Sequence, residues 1–511
     1  MNASKIESVV ILGGGTAGWM AAAVLAKALG PAVAVTLVES DEIGTVGVGE
    51  ATIPQIRHLL NFLGLDDRRV LSETDATFKL GIAFEGWRAP GHRYIHAFGE
   101  FGLPLGLAPF HHHLRRAQQG GEAGELWDYS LTAQAAYSGR YAQLPRIGDT
   151  RIGGIVSAFH LDATRFATLL RRTAEAAGVE RIEGRVEAVV KSDETGNVSA
   201  LTLRDGRRVK GEVFLDCSGF RSRLIGQEMG VPFEDWSAHL PCDRAVAVRS
   251  APGPALRPYT QAMARKAGWQ WRIPLQGRVG NGHVYSSAHM SDDEAAAVLT
   301  RNLEGEAEGE PRLIPFRTGR RREAWAGNVV ALGLAAGFME PLESTSIHLV
   351  QSAVERLVQA FPTGSMEPAL CNAYNQRTRT EWERIRDFLV LHYAVNGRAG
   401  EPFWDERRSA ALPESLERRL SLFRAGGRFF AEESELFTET GWVQVLEGQG
   451  VRPEGWAPAA NALPEERLRS ILANTRNLIG RTAERLPTHE DAVARLTGTD
   501  PAALSGDENR A

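Results

Sequence analysis

The stretch Ser8-Val9-Val10-Ile11-Leu12-Gly13-Gly14-Gly15-Thr16-Ala17-Gly18 decides the fold. Its first five residues are a short apolar run of the kind that becomes a buried strand of a parallel sheet. The spacing Gly13-x-Gly15-x-x-Gly18 follows at once. That spacing permits a tight turn, a close approach of backbone to a pyrophosphate, and close packing of the next helix on the strand. The helix is expected over residues 19–29, with the amides of its start facing phosphate. A second strand over residues 33–38 ends in Glu39, 21 residues after Gly18. A ribose-binding carboxylate belongs close to that position.

Two later stretches repeat the strand-then-small-residue pattern. Glu212-Val213-Phe214-Leu215-Asp216 runs into Cys217-Ser218-Gly219, and Asn328-Val329-Val330-Ala331-Leu332 runs into Gly333-Leu334-Ala335-Ala336-Gly337. Small residues let a helix start come close to a flat cofactor ring. Three such turns in one chain imply one cofactor site in an α/β, Rossmann-like core. Between them, Phe159-His160-Leu161-Asp162 with Phe166, Leu169 and Leu170 reads as a crossover helix, and residues 186–190, starting at Val186, as an edge strand. From about residue 376 the pattern turns to helices with Arg- and Glu-rich faces, broken at residues 397–402 and 448–450. The expected organisation is a core over 1–375, a helical subdomain over 376–497, and a small, polar, disordered tail over 498–511.

Composition excludes several classes. A net charge of −5 gives no electrostatic footprint for nucleic acid. The three cysteines, Cys217, Cys242 and Cys371, can build no disulfide framework and lack metal-ligand spacing. Lys5 ahead of an apolar run would suit a secretory leader, but Glu7 and the glycines interrupt it. No window is long and apolar enough for a membrane span. A cytoplasmic protein is expected. His111-His112-His113 reads as a surface loop, because adjacent histidines rarely converge on one ion.

Four further motifs name a reaction. Gly47-Val48-Gly49-Glu50-Ala51-Thr52, Phe78-Lys79-Leu80-Gly81, Trp269-Gln270-Trp271-Arg272-Ile273-Pro274 and Glu340-Pro341-Leu342-Glu343-Ser344-Thr345-Ser346 occur in that order. With them the chain resembles the flavin-dependent halogenases of the tryptophan-halogenase family over most of residues 5–405. The resemblance implies a flavin monooxygenase-type FAD fold with helices covering the substrate. It places FAD, used as FADH2, against Gly13, Gly15, Thr16, Ala17, Gly18, Glu39, Ala51, Val186, Gly333 and Leu334. Reduced flavin and oxygen would convert chloride or bromide to hypohalous acid.

The residues support that chemistry in their own right. Lys79 stands in a mainly apolar stretch, where burial disfavours the ammonium and leaves an amine able to hold the electrophile. Attack on an aromatic ring develops positive charge, which a carboxylate such as Glu343 would stabilise. The amides of Thr345 and Ser346 are the expected halide site, at the start of a helix. Trp269 and Trp271 point the same way if their segment is extended, and in the family they keep substrate from the flavin. His96 and Phe98 resemble an aromatic sandwich for an indole, with Phe403 and Trp404 a second hydrophobic pair. Free-tryptophan enzymes carry a pair of tyrosines and an acid that hold the amino-acid head, whereas residues 437–444 read Phe-Thr-Glu-Thr-Gly-Trp-Val-Gln, with no tyrosine pair. Indole or another small aromatic is therefore expected over free tryptophan. With a single dinucleotide fingerprint, reduced flavin must come from a separate NAD(P)H-dependent flavin reductase. Self-association is left open, a homodimer included. The alternatives are a single-component flavin monooxygenase, which needs neither Lys79 nor Glu343, and a non-enzymatic flavin-binding module.

Overall fold

A computed structural model describes residues 5–42, 49–121, 123–432 and 435–500. The chain divides into two compact units, each drawn from three stretches. The first takes the N-terminal residues to Asp75, Leu161–Asp243 and Pro315–Glu383. The second takes Ala76–His160, Arg244–Ile314 and the residues from Arg384 onward.

The first unit is organised by a six-stranded sheet in the order Trp325–Ala326, Val329–Ala331, Val213–Asp216, Ser8–Leu12, Ala34–Glu39, Glu180–Glu183. Every pairing is parallel except that of the two short strands at one edge. Ser8–Leu12 lies at the centre, with Val10 opposite Phe214 on one side and Thr36 on the other. Its apolar run is what burial on both faces requires. The helix Thr16–Leu29 starts three residues earlier than expected and packs against the helices Ala163–Ala176 and Ser346–Gln359. Strand Val186–Lys191 is an edge strand, in a three-stranded antiparallel sheet with Val198–Leu203 and Arg208–Lys210. The crossover helix begins later than its sequence suggests. Ala158–Asp162 is a strand, and the helix starts only at Ala163. Asp162 accounts for the switch, because its carboxylate accepts from the amides of Thr164 and Arg165, both at 2.9 Å, and so caps the helix.

The second unit is built on a seven-stranded sheet in the order Ala307–Pro315, Arg244–Ser250, Val279–Tyr285, Gly268–Pro274, Thr260–Arg265, Gly81–Glu85, Arg93–Ala97. Helices Pro402–Ser409, Glu414–Gly426, Glu439–Gly448, Glu465–Glu484 and His489–Thr497 follow. The expected breaks fall where glycine and proline place them: one helix ends at Ala394 and the next opens on Pro402, and another ends at Gly448. Residues 501–511 lie outside the described residues.

The three consecutive histidines are not a surface loop. They form the first turn of the helix Phe110–Gln119 and are buried. Burial is tolerated because each imidazole has a backbone partner. His111 Nε2 meets the Gly427 carbonyl at 2.7 Å, His113 Nε2 the Leu105 carbonyl at 2.9 Å, and His112 Nδ1 accepts from the Ala457 amide at 3.2 Å. Burial pushes the His112 pKa down to about 3.

Candidate active site

The glycine turn of the first unit has the shape of a dinucleotide cradle. Gly13 has φ 115°, and a Cβ there would lie 2.3 Å from the Cys217 carbonyl oxygen. A Cβ on Gly18 would lie 1.8 Å from the Gly13 carbonyl oxygen. Gly15 differs, since a Cβ there would meet nothing within 4 Å. The open side of the turn is therefore above Gly15, which caps the helix Thr16–Leu29 without any side-chain bond to its first amides. Those amides need an acceptor, and a phosphate is a fitting one. Thr16 reaches back to the Ala163 carbonyl at 3.4 Å. Gly333, with φ 59°, opens the turn Gly333–Ala335 that carries Leu334, and a Cβ on it would come within 2.9 Å of the Ala17 Cβ. The first and third small-residue turns thus meet at the same helix start.

Glu39 closes the cradle. Its carboxylate takes the Arg181 Nε at 2.5 Å and the Trp19 indole N–H at 3.3 Å, which fixes the acid over Gly14. The middle turn is organised by Asp216, the last residue of the strand Val213–Asp216. Fully buried, Asp216 accepts from the Ser218 amide at 3.0 Å and hydroxyl at 2.5 Å, and from the amides of Leu224 at 2.7 Å and Ile225 at 2.8 Å. Gly47 and Val48 lie outside the described residues, while Gly49–Ala51 is a short strand with Ala51 buried. Burial pushes the Glu50 pKa up to about 7.

The acid motif is in the same unit. Glu343 is 1% exposed and lies in the turn before the helix Ser346–Gln359, in which Ser344 adopts a left-handed φ of 59°. Thr345 caps that helix without a side-chain bond, and Ser346 is its first residue. One carboxylate anchors the helix. Glu381 meets His348 Nε2 at 3.2 Å, Ser352 Oγ at 2.9 Å and an Arg356 guanidinium nitrogen at 2.6 Å, partners spaced four residues apart on one helical stripe. The cation and these hydrogen bonds hold the Glu381 pKa below the usual range against the opposing effect of burial.

Lys79 belongs to the second unit. It ends the strand Thr77–Lys79, is fully buried, and places its Nζ 5.2 Å from the centre of the Phe98 ring. The strand pairs antiparallel with Ala158–Asp162, so that Ala158 is opposite Lys79 and His160 opposite Thr77. The Phe78 amide donates to His489 Nε2 at 3.1 Å, and His489 Nδ1 meets the Leu256 carbonyl at 2.8 Å. This pair of bonds fixes His489 as a neutral imidazole protonated on Nδ1. No feature of the sequence around His489 marks it, because its partner is 411 residues away.

Trp269 and Trp271 are on the extended strand Gly268–Pro274 with ring centres 6.1 Å apart, as their spacing requires. The Trp271 ring lies over Gly282, its register partner, where a Cβ would come within 2.0 Å of the indole. His96 is buried, with Phe388 at 5.6 Å and Phe437 at 6.1 Å between ring centres. The helix Glu439–Gly448 is held beside it by Gln444, whose amide makes two 3.0 Å bonds to the Ala97 backbone, as a neighbouring strand would. Thr440 donates to Glu100 at 2.7 Å, and burial together with the Glu100 charge pushes the Glu439 pKa up to about 7. Trp404 is packed among Tyr393 and Trp87, with its indole N–H on the Arg265 carbonyl at 2.7 Å, and Phe403 lies edge-on to it.

Residues 8–465 match the family model for tryptophan halogenase. The chain belongs to the tryptophan-halogenase family. Tryptophan 7-halogenase RebH of Lentzea aerocolonigenes is 34% identical over 90% of this chain and 93% of its own. Xcc4156, a flavin-dependent halogenase from Xanthomonas campestris, has a TM-score of 0.94 at 46% identity, over 97% of this chain and 99% of its own. BrvH, a flavin-dependent halogenase from Brevundimonas sp. BAL3, has 0.92 at 45% identity, over 96% and 99%. The chain is thus a flavin-dependent halogenase with the α/β fold of that family, and FAD is its cofactor. Such halogenases are two-component enzymes that take reduced flavin from a separate reductase. No described helix is long and apolar enough to cross a membrane.

Proposed function

We propose that this halogenase attaches chloride or bromide to an electron-rich aromatic of the indole type, with Lys79 carrying the active halogen. The observation that supports this most is the complete burial of Lys79 on a strand pinned at its backbone, with Phe98 over its amine. When bound and reduced, FAD would supply the two electrons that activate oxygen, which then oxidises halide to hypohalous acid with release of water. The amides of the turn at Gly15, Thr16, Ala17 and Gly18 take the pyrophosphate, Glu39 the ribose, and Gly333 and Leu334, with Ala51 and Val186, line the rest of the cofactor site. Thr345 and Ser346 offer helix-start amides to the halide.

The Lys79 amine then holds the hypohalous acid by a hydrogen bond, or exchanges hydroxide for nitrogen to give a haloamine and water. Either form presents positive halogen to the substrate ring. Glu343 stabilises the cationic ring intermediate and takes its proton. His96 and Phe98 hold the ring, with Phe403 and Trp404 in support, and Trp269 and Trp271 keep it from the flavin.

The substrate reading rests on residues 437–444. In place of paired tyrosine donors this segment carries Glu439 and Thr440, the latter bonded to Glu100. An acid can hold the ammonium of free tryptophan, but without the tyrosine pair this segment lacks the donors that would hold its carboxylate. An uncharged or cationic indole fits better.

The test compares the parent chain with Lys79→Ala, each given FAD, a flavin reductase, NADH and bromide, across a panel of indoles and phenols. The parent should yield brominated product. The variant should bind FAD equally well and yield none, and product from Lys79→Ala at the parental rate would remove the lysine from the mechanism.

A further inference from the structure

Thr77 and Lys79 are two residues apart on one strand, so their side chains share a face. The paired strand puts Ala158 and His160 on that same face, the small Ala158 leaving room beside the lysine stem. His160 is fully buried and meets two hydroxyls, Thr77 Oγ1 at 3.1 Å through Nδ1 and Thr260 Oγ1 at 3.0 Å through Nε2.

The direction of these bonds follows from counting protons. Thr77 has one hydroxyl hydrogen and gives it to the Pro274 carbonyl at 2.8 Å, which can only accept. Thr77 must therefore accept from His160, whose Nδ1 carries a hydrogen. Burial above all, with the neighbouring basic groups of Lys79 and His489 opposing a further positive charge, pushes the His160 pKa well down. In that neutral ring Nε2 accepts from Thr260. The chain of bonds runs Thr260 to His160 to Thr77 to Pro274, with His160 and Thr77 each accepting one bond and donating one. It ties the lysine strand to the end of the strand carrying Trp269 and Trp271, and to the neighbouring strand Thr260–Arg265.

We infer that His160 is a positioning residue, which through Thr77 fixes the strand of Lys79 and so the point from which the lysine amine delivers halogen. The inference rests on the reading of Lys79 given above. Displacing a reacting group by about an ångström can cost on the order of 100-fold. Formation of hypohalous acid does not depend on this chain of bonds, whereas its capture by substrate does.

The experiment measures where the halogen goes. The parent, His160→Phe, His160→Asn, Thr77→Val and Lys79→Ala are supplied with chemically reduced FAD, oxygen, bromide, indole and a soluble diketone that traps free hypohalous acid. His160→Phe keeps a ring but loses both bonds, and His160→Asn keeps a donor near the Nδ1 position. His160→Phe and Thr77→Val should lower bromoindole relative to trapped bromine on the order of 10- to 100-fold, and His160→Asn should restore part of it. Thr77→Val is close in shape to the parent and carries the test if His160→Phe does not fold. A parental partition in both His160→Phe and Thr77→Val overturns the inference while Lys79→Ala remains dead. Equal losses of trapped and substrate-bound bromine, with no gain in His160→Asn, reduce His160 to a core residue and overturn it as well. Product from Lys79→Ala overturns instead the reading of the lysine.

Discussion

Glu343 is fully withdrawn from water and Glu439 only partly, and each has a different consequence. Glu343 is closed into the turn before a helix, and in the proposed mechanism its charge serves a cationic ring intermediate. Glu343→Gln keeps the shape and removes the charge, so turnover should fall on the order of 100-fold with FAD affinity unchanged. Single-turnover bromination of indole checks this, and an unchanged rate would make Glu343 only a helix-end acid. Glu439 has its pKa raised from 4.5 to about 7. Below about 4.5 it is protonated in both folded and unfolded chains and costs nothing. Between about 4.5 and 7 the unfolded chain releases a proton that the folded chain keeps, so stability falls with rising pH across that window and the loss is complete above 7. Glu439→Gln should therefore gain in melting temperature over the parent at pH 8 and much less at pH 5. An equal shift at both values would contradict the assignment.

At the scale of elements, the strands of the Rossmann-like sheet were legible because burial on both faces demands unbroken apolar runs, and Ser8–Leu12 and Val213–Asp216 have them. The two tryptophans were legible for a similar reason, since a proline-ended segment with alternate indoles is most simply a strand. Their support was not. Gly282 makes room for Trp271 only because register sets the two opposite each other, and register is invisible in one strand alone. Gly282→Ala should force the indole aside and destabilise the second unit by about 1–3 kcal/mol. Denaturant unfolding followed by tryptophan fluorescence measures it, and a neutral result would mean the ring relocates freely. The same limit hid Asp216, His160 and His489, whose partners are set by tertiary placement. It also misplaced the start of the crossover helix, since Asp162 ends one element and caps the next.

At the scale of the whole molecule, one glycine fingerprint leads to a division of labour. The described fold holds a single cradle of this kind, formed where the Gly13 and Gly333 turns meet one helix start. Halogenases of this family take reduced flavin from a separate reductase, and any reductase able to release FADH2 should support turnover. Family membership could be read from four short motifs because each couples a residue type to a chemical task. The substrate could be read only by subtraction, through tyrosines that residues 437–444 lack. The most direct test of the account is the mass of the product formed from indole when the chain receives chemically reduced FAD, oxygen and bromide with no second protein. The account predicts a product bearing the bromine isotope doublet, lost when bromide is left out. An oxygenated indole without halogen, formed equally well in the absence of halide, would contradict it.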